Sequence, residues 1–220
     1  MFWGDQAHYL FVGATALSCI LHSLGLGSVE RVHKILDFGC GAGRVSRWLS
    51  AAFPDAMLHA CDLREADLEF VRQNYHATTW VSGTDIHALN PPESYDLLWV
   101  GSVFTHLPPE LSKKLFKKMM TWLTPNGVLV FSVHGRRVLQ RAKAGDTIYG
   151  LGDDLEKLWI NYVNTGYGYV DYRQQTGYGI SVSKSNWWVG FIEEQGTVKL
   201  VCLSERAWDD HHDVIAVQNM

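Results

Sequence analysis

The stretch Ile35-Leu-Asp37-Phe-Gly39-Cys-Gly41-Ala-Gly43 decides how this chain folds. It begins in an apolar run that is typical of a buried strand, and its three glycines lead directly into a segment of helical spacing. Glycine tolerates positive φ and lets the backbone come close to a ligand. The start of a helix supplies free N–H donors and a partial positive field. The stretch therefore predicts a strand, a ligand-binding turn and a helix.

Outward from this turn, short apolar runs alternate with segments of helical spacing. The pattern predicts strands at residues 34–38, 56–61, 78–82, 95–100 and 128–133, helices at 45–53, 67–75 and 111–123, and a turn at 124–127. Successive strand–helix–strand units with right-handed crossovers give a parallel sheet with helices on both faces. The strands are apolar almost throughout, as expected of strands that are buried on both sides.

Beyond Gly135 the pattern changes. Helices are predicted at 136–143, 153–163 and 183–194, the last with Ser183 or Ser185 as its N-cap, and closing strands at 197–204 and 214–218. Residues 166–179 between them are rich in Gly and Tyr. We expect the stretch from Gly135 to Gly179 to cap the sheet and not to form a separate domain.

Composition and charge exclude several classes of protein. The chain has 220 residues, 47% of them hydrophobic, so it buries a sizeable core and is neither disordered nor collagen-like. Its net charge of −4 argues against a long nucleic acid as partner. The four cysteines have neither zinc-type nor disulfide-framework spacing, which indicates reduced thiols in a cytoplasmic protein.

An apolar segment covers residues 9–27. Asp5 precedes it where a signal peptide has basic residues, and His22 with several Gly and Ser interrupts it before it reaches the roughly 20 apolar residues that span a bilayer. We therefore predict a packed N-terminal helix and no membrane span, with Tyr9 and Gly13 as candidates for closing a ligand cleft.

Asp62 stands 19 residues after Gly43, at the end of the second predicted strand. A carboxylate there can accept both hydroxyls of a ribose, so the turn and the acid indicate a nucleoside site at the carboxyl edge of the sheet. A dinucleotide fingerprint needs a glycine where this chain has Arg44, and the P-loop motif is absent. Asp37 would repel a pyrophosphate and suits a ligand with an ammonium group.

The glycine stretch followed by Asp62 resembles the first two motifs of the class I S-adenosylmethionine-dependent methyltransferases. Residues 83–86, 95–102 and 123–130 resemble later motifs of that family, in the family's order. The resemblance covers residues 33–135, roughly half of the chain. It implies a doubly wound α/β fold with a mainly parallel seven-stranded sheet, an antiparallel last strand, and a helical and aromatic cap insertion.

The resemblance also implies S-adenosyl-L-methionine as cofactor and a role for individual residues. Those residues are Gly39, Gly41 and Gly43 for the methionine part, with Asp37 beside its ammonium group, Asp62 for the ribose, Asp85 and Ile86 for the adenine, Ser102 and Val103 for the bottom of the cleft, and Leu63 as a further cofactor-binding residue. Taken alone, Asp85 is equally well interpreted as a turn cap. We expect one domain: an N-terminal helical segment (1–32), a cofactor-binding core (33–135), a cap and acceptor region (136–195) and closing strands (196–220).

Methyl transfer from a sulfonium is an in-line displacement, so the site must align the acceptor and exclude water. A hydroxyl acceptor must also lose its proton to a base. His106 follows the fourth predicted strand and His134 ends the fifth, which makes both candidate catalytic bases. The structural alternatives are a helix-start residue for His106 and a loop residue bonded to backbone for His134.

The segment Trp208-Asp-Asp-His211-His212-Asp213 raises the question of a metal site. Adjacent side chains on an extended stretch point to alternate faces. A magnesium-dependent catechol-type enzyme would also need an Asp where this chain has Gly101 and Ser102. We therefore expect a solvated turn and no metal site.

The acceptor follows from elimination and from the resemblance. After the fourth predicted strand the chain lacks the signature of amide and adenine N-methyltransferases, in which Asp, Asn or Ser precedes two prolines and an aromatic residue follows them. It also lacks the Pro-Cys pair of pyrimidine methylation. We expect a hydroxyl of a small-molecule or glycan-like acceptor, with an amine as second choice. A non-catalytic protein that binds S-adenosylmethionine or S-adenosylhomocysteine is the alternative. Aromatic residues after the sheet are expected either to cap the acceptor or to pack ordinarily: Tyr149, Trp159, Tyr162, Tyr167, Tyr169, Tyr172, Tyr178, Trp187 and Trp188.

Overall fold

The computed structural model describes residues 5–147, 150–152 and 154–220. The strands are β1 (Lys34–Phe38), β2 (Met57–Asp62), β3 (Thr78–Val81), β4 (Tyr95–Val100), β5 (Leu123–Val133), β6 (Tyr167–Tyr172), β7 (Gln175–Ser183), β8 (Val198–Trp208) and β9 (His212–Asn219). The helices are α1 (Gln6–Leu26), α2 (Ser46–Ala52), α3 (Glu65–Tyr75), α4 (Pro109–Met120), α5 (Arg136–Lys143), α6 (Asp154–Thr165) and α7 (Ser185–Glu193).

Seven strands form the main sheet, in the order β3-β2-β1-β4-β5-β9-β8. The first five in this order are parallel to one another, and β9 lies antiparallel between β5 and β8. The predicted sheet is therefore confirmed. Phe38 of β1 pairs with Cys61 of β2, and Asp37 pairs with Trp99 of β4, so the carboxyl ends of these strands meet at one edge.

Two apolar layers cover the faces of the sheet. Along β1 and β4, successive side chains alternate between the layers: Ile35 and Leu97 pack with α1, α2 and α3, whereas Leu36 and Leu98 pack with α4 and α7. This alternation explains why the sequence of each strand is apolar without interruption.

Helix α1 packs against α2 and β8, and the Trp208 indole nitrogen donates to the Val12 carbonyl at 2.9 Å. Among the described residues, α1 alone has the length and apolar composition of a membrane-crossing helix, with a mean hydropathy of 1.6. One third of that helix window is buried in the fold, and Phe11 and Leu21 are exposed. Tyr9 stacks under the Arg44 guanidinium and is not among the residues that line the cleft described below.

The segment between β5 and α7 adds a small unit of its own. Helices α5 and α6 pack on the antiparallel β6–β7 hairpin through a separate apolar cluster that includes Val138, Leu158 and Ile180. Helix α7, expected in the cap, packs on the sheet: the Trp188 ring lies 5.0 Å from that of Phe131. Asp153, the predicted start of α6, lies outside the described residues.

Three local predictions were wrong. Residues 124–127 do not turn the chain: β5 includes them, with a register shift opposite Tyr95 and Leu97. Helix α4 begins at Pro109, because proline suits the first helical position. Helix α7 has no side-chain cap, and the Ser183 hydroxyl accepts instead from the Trp188 indole at 3.0 Å.

Candidate active site

A cleft of about 750 Å³ opens at the carboxyl ends of β1 to β4. Its walls come from each strand in turn and from the tip of the β6–β7 hairpin. The lining includes Phe38 and Gly39 after β1, Asp62, Leu63 and Arg64 after β2, Ser82, Gly83, Thr84 and Ile86 after β3, residues 101–103 and His106 after β4, and residues 176–178 of the hairpin. Another cavity, of about 500 Å³, lies at the opposite edge of the sheet, next to Gly27 and Gln218.

The three glycines of the first loop all have positive φ, between 51° and 78°. Gly39 lies on the cleft wall, and a Cβ there would stand 2.6 Å from the Val103 side chain. A Cβ on Gly43 would meet Tyr75 and Val71 of α3 at 2.6 and 2.9 Å. Gly39 thus lets the loop pass close to the β4 loop, whereas Gly43 lets α2 pack on α3. Gly41 has open space around it, so its positive φ alone requires glycine.

Asp62 joins the glycine loop to the end of β2. One carboxylate oxygen accepts the Gly41 N–H at 2.9 Å, and the other accepts the Arg64 N–H at 3.2 Å. Each oxygen retains a second lone pair. Because Asp62 lines the cleft, it presents those lone pairs at the place where the resemblance puts a ribose.

Asp37 is buried behind the loop and is not part of the cleft wall. Its carboxylate accepts the Ser46 hydroxyl at 2.6 Å, at the start of α2. Burial raises the pKa of Asp37 to about 7, against the lowering effect of the Ser46 hydrogen bond, and nearby Asp62 raises it further. A cationic group next to Asp37 would stabilise its charged form.

The loop after β3 carries the two residues expected at the adenine. Ile86 is buried and lines the cleft. Asp85 is exposed, and its carboxylate accepts the His87 N–H at 2.9 Å, which is the turn contact considered as its alternative role. Leu63, on the opposite wall, is 55% exposed and offers an apolar surface to a planar group.

Ser102 adopts a left-handed conformation, with φ of 59°, directly after β4. Its N–H donates to the Ser132 hydroxyl at 2.8 Å, and its own hydroxyl lies 3.2 Å from that of Thr105. A non-glycine residue in this region costs about 1–3 kcal/mol, and such strain clusters at functional sites. Ser102 lines the cleft, in agreement with its expected position.

His106 ends the short 3-10 helix Phe104–His106 and lines the cleft. Its Nδ1 lies 2.8 Å from the Gly179 carbonyl oxygen. Because a carbonyl only accepts, Nδ1 carries the proton, and Nε2 of the neutral ring has the lone pair. Burial lowers the pKa of His106, partly offset by this hydrogen bond, so the ring is neutral at neutral pH. The Tyr178 ring, at the hairpin tip, lies 5.0 Å from the His106 ring.

His134 is close to His106 but does not line the cleft. It is buried, its ring lies 6.5 Å from that of His106, and its Nδ1 is 3.1 Å from the Ser181 carbonyl oxygen. The structure thus brings the two candidate bases together and exposes only His106 to the cleft.

The turn predicted at residues 208–213 is present at 209–211, where Asp210 is exposed, but it is shorter and less solvated than expected. His212 and Asp213 are buried, and the rings of His211 and His212 lie 4.3 Å apart. The alternation rule fails here because His211 belongs to the turn and only His212 belongs to β9. Their rings approach that of His134, which lies 5.2 and 5.0 Å away.

The aromatic residues after the sheet divide into two groups. Tyr172 and Tyr178 surround His106, as an acceptor cap would require. Tyr167 and Trp188 pack in the main core, and Trp159 packs beside Tyr162 in the small cluster. Tyr149 lies outside the described residues.

Sequence reasoning missed the apolar wall and the hairpin tip. Leu107, Leu111 and Leu115 line the cleft below His106, and Thr176 and Gly177 close it beside Tyr178. The repeated Gly-Tyr-Gly at 177–179 was the available signal for the tip. The leucines carry no signal, because their spacing is that of any core-facing helix.

Known proteins are similar to this chain in sequence and in fold. Residues 35–127 match the model of a family described as a methyltransferase domain. The malonyl-[acyl-carrier protein] O-methyltransferase of Halalkalibacterium halodurans is 29% identical over 159 residues, 70% of this chain and 52% of that protein. The trans-aconitate 2-methyltransferase of Yersinia pseudotuberculosis is 33% identical over 95 residues, 43% of this chain and 36% of that protein.

Among solved structures, an S-adenosylmethionine-dependent methyltransferase from Clostridium acetobutylicum has the same fold. The TM-score is 0.63 at 14% identity, over 94% of this chain and 91% of that one. The chain spans about half the length, or less, of the curated relatives it matches. Residues 35–127 of this chain thus match a methyltransferase domain, and the fold around them is shared with a solved S-adenosylmethionine-dependent methyltransferase.

Proposed function

We propose that this protein transfers the methyl group of S-adenosyl-L-methionine to an oxygen atom of a small acceptor held between His106 and the hairpin tip. The observation that carries the proposal is the hydrogen bonding of His106 and its position on the cleft wall. Its Nδ1 is fixed by the Gly179 carbonyl, so the remaining basic nitrogen belongs to a ring that lines the cleft.

The cofactor assignment agrees with the cleft. The similar fold from Clostridium acetobutylicum is named as S-adenosylmethionine-dependent. Asp62 offers carboxylate lone pairs to a ribose, and Ile86 and Leu63 offer apolar surfaces to an adenine. Asp37 is buried behind the glycine loop, so it would favour an ammonium group by its charge and not by direct contact. The acceptor then has to approach from the side of His106 and Tyr178, because the strand-end loops form the other walls.

In this mechanism the acceptor oxygen attacks the methyl carbon as the carbon–sulfur bond breaks, and S-adenosylhomocysteine leaves. A hydroxyl acceptor gives its proton to Nε2 of His106. The protein also contributes alignment and exclusion of water, which Tyr178 and the leucine wall provide. The bond from Nδ1 to Gly179 fixes the ring orientation and stabilises the cation that forms.

Two oxygen acceptors fit this site. A hydroxyl, as in a small alcohol or a glycan, needs the base. A carboxylate is the second candidate, because the names of the relatives give malonyl-acyl carrier protein and trans-aconitate as acceptors. A carboxylate is already ionised at neutral pH and does not need a base.

The experiment measures isotopic methyl transfer from labelled S-adenosylmethionine to three acceptor panels: hydroxyl compounds including sugars, carboxylic acids, and amines. For a hydroxyl acceptor, His106→Gln should lower turnover by roughly 10²- to 10⁴-fold without changing the affinity for S-adenosylhomocysteine. His22→Gln, in the exposed part of α1, is the matched control.

Carboxylate methylation that survives in His106→Gln would assign the acid as acceptor. Methylation confined to amines would overturn oxygen transfer. Cofactor binding without transfer to any panel would favour the non-catalytic binding protein.

A further inference from the structure

Three histidine rings from two parts of the chain meet beside the cleft. His134 directly follows β5, His211 lies in the turn between β8 and β9, and His212 is the first residue of β9. One nitrogen from each ring can be chosen so that all three atoms lie within 4.8 Å of one another. A group of this kind is the donor set that zinc and its neighbours in the first transition row prefer.

His212 is the informative member of this cluster. It is 9% exposed, and neither ring nitrogen has a hydrogen-bond partner in the described part of the chain. Buried polar atoms in proteins are normally paired, and an exception calls for an explanation such as an absent ion. Its ring lies between those of His134 and Trp208, at 5.0 and 4.7 Å.

One cationic side chain lies against the cluster. The Arg141 guanidinium is 3.4 Å from His211 Nδ1, so this contact has to give way if Nδ1 is the ligand atom, and it can stay if Nε2 is.

We propose that His134, His211 and His212 form a binding site for one divalent transition-metal ion of the zinc class. This departs from the expectation of no metal drawn from the sequence, and it goes beyond methyl transfer. The ion would link the end of β5 to the β8–β9 turn. Three protein ligands leave a fourth position of a tetrahedral zinc ion for water or another oxygen.

The geometry sets a requirement for this binding. With zinc–nitrogen distances of about 2.0–2.1 Å, tetrahedral ligand atoms stand about 3.4 Å apart. The three nitrogens, now within 4.8 Å, must move together by up to about 1.4 Å. The planes of His134 and His212, now 20° apart, must also tilt. His211 is the least buried of the three rings.

The test uses the full chain, freed of metal with a chelator, and Zn²⁺ or Co²⁺ alone as the probe. Calorimetry should show one equivalent of Zn²⁺ bound, and Co²⁺ should give the intense visible absorption of a tetrahedral site. His211→Ala, in the partly exposed turn, should weaken binding by at least about tenfold. His212→Gln should do the same, and His22→Gln should bind as the wild type does.

Each variant is first checked for a cooperative thermal transition and for binding of S-adenosylhomocysteine. A folded wild-type protein that takes up neither ion would overturn the proposal. Equal binding by the wild type, His211→Ala and His212→Gln would overturn it too, because the ion would then bind elsewhere. Metal binding in a protein that transfers no methyl group would leave this inference standing and contradict only the proposed reaction.

Discussion

Asp62 organises the glycine loop, because both of its carboxylate oxygens accept backbone N–H groups, one from Gly41 in that loop and one from Arg64 after β2. At the scale of single residues, the site therefore depends on charges held in position by the backbone. Asp37 differs: it lies behind the loop, and burial opposes its ionisation. Removing the charge of Asp62 and removing the charge of Asp37 should therefore have different effects.

Asp62→Asn keeps the size of the side chain and removes its charge. We expect the affinity for S-adenosylhomocysteine to fall by roughly 10- to 150-fold, since hydrogen bonds to a charged group contribute about 1.5–3 kcal/mol. Isothermal titration calorimetry measures the change. Asp55→Asn, exposed in the loop before β2, is the control. An affinity equal to that of the wild type would show that Asp62 serves only the loop.

Asp37 should make the stability of the ligand-free protein depend on pH. Its pKa is about 7 in the fold and about 3.9 in an unfolded chain, so the folded state binds the proton more tightly. The resulting stabilisation is fully present below about pH 4 and is lost as the pH rises through about 7, a change of about 4 kcal/mol.

Denaturant unfolding at about pH 5 and about pH 8 measures this dependence. The free energy of unfolding of the wild type should decrease between the two, and that of Asp37→Asn should decrease much less. S-adenosylhomocysteine, whose ammonium group stabilises the ionised acid, should reduce the loss in the wild type. Parallel pH profiles for both proteins would contradict the assignment.

At the scale of secondary structure, the sequence predicted the elements whose apolar residues follow directly from which faces are buried. Strands β1 and β4 were located to the residue, because both faces are covered and the apolar run has clear ends. The β6–β7 hairpin was missed, because glycine is rare in strands and masks the alternation. Gly168 and Gly179 are required there by close backbone contacts: a Cβ would run into the carbonyls of Leu158 and Val170.

The hairpin glycines provide a test at this scale. Gly179→Ala should lower the free energy of unfolding by about 1–3 kcal/mol and displace the carbonyl that holds His106, because the added methyl overlaps Val170. Gly190→Ala, in α7 with open space around it, should stabilise the protein by up to about 1 kcal/mol.

Chemical denaturation measures both changes, and hydrogen exchange of β6 and β7 localises the first. A Gly179→Ala protein as stable as Gly190→Ala would show that the hairpin tolerates the methyl group.

At the scale of the whole molecule, the cleft residues at the strand ends could be predicted from the sequence. The histidine cluster and the contact between His106 and the hairpin could not. Asp62, Ile86 and Ser102 line the cleft where the motifs placed them, since strand ends of a parallel sheet converge on one edge. The convergence of His134 with His211 depends on β9 inserting between β5 and β8, a pairing that no local pattern records. The same holds for the contact between His106 and Gly179.

Ligand binding should stabilise the domain as one unit, because the cleft is built from four strand ends of a single sheet. S-adenosylhomocysteine at about 100 times its Kd should add about 2.7 kcal/mol, which raises the Tm by roughly 5–11 °C for a chain of this length. Differential scanning calorimetry measures the shift. NADH should give none, since Arg44 stands where a dinucleotide site needs glycine. An equal shift with NADH would contradict the cofactor assignment.

The α5–α6–β6–β7 unit is inserted in the chain between β5 and α7. Its apolar cluster is its own, but the unit is also tied to the sheet: Tyr167 of β6 packs in the main core, and the Gly179 carbonyl of β7 holds His106. A change in the packing of this unit would therefore be felt in the cleft through the orientation of the His106 ring.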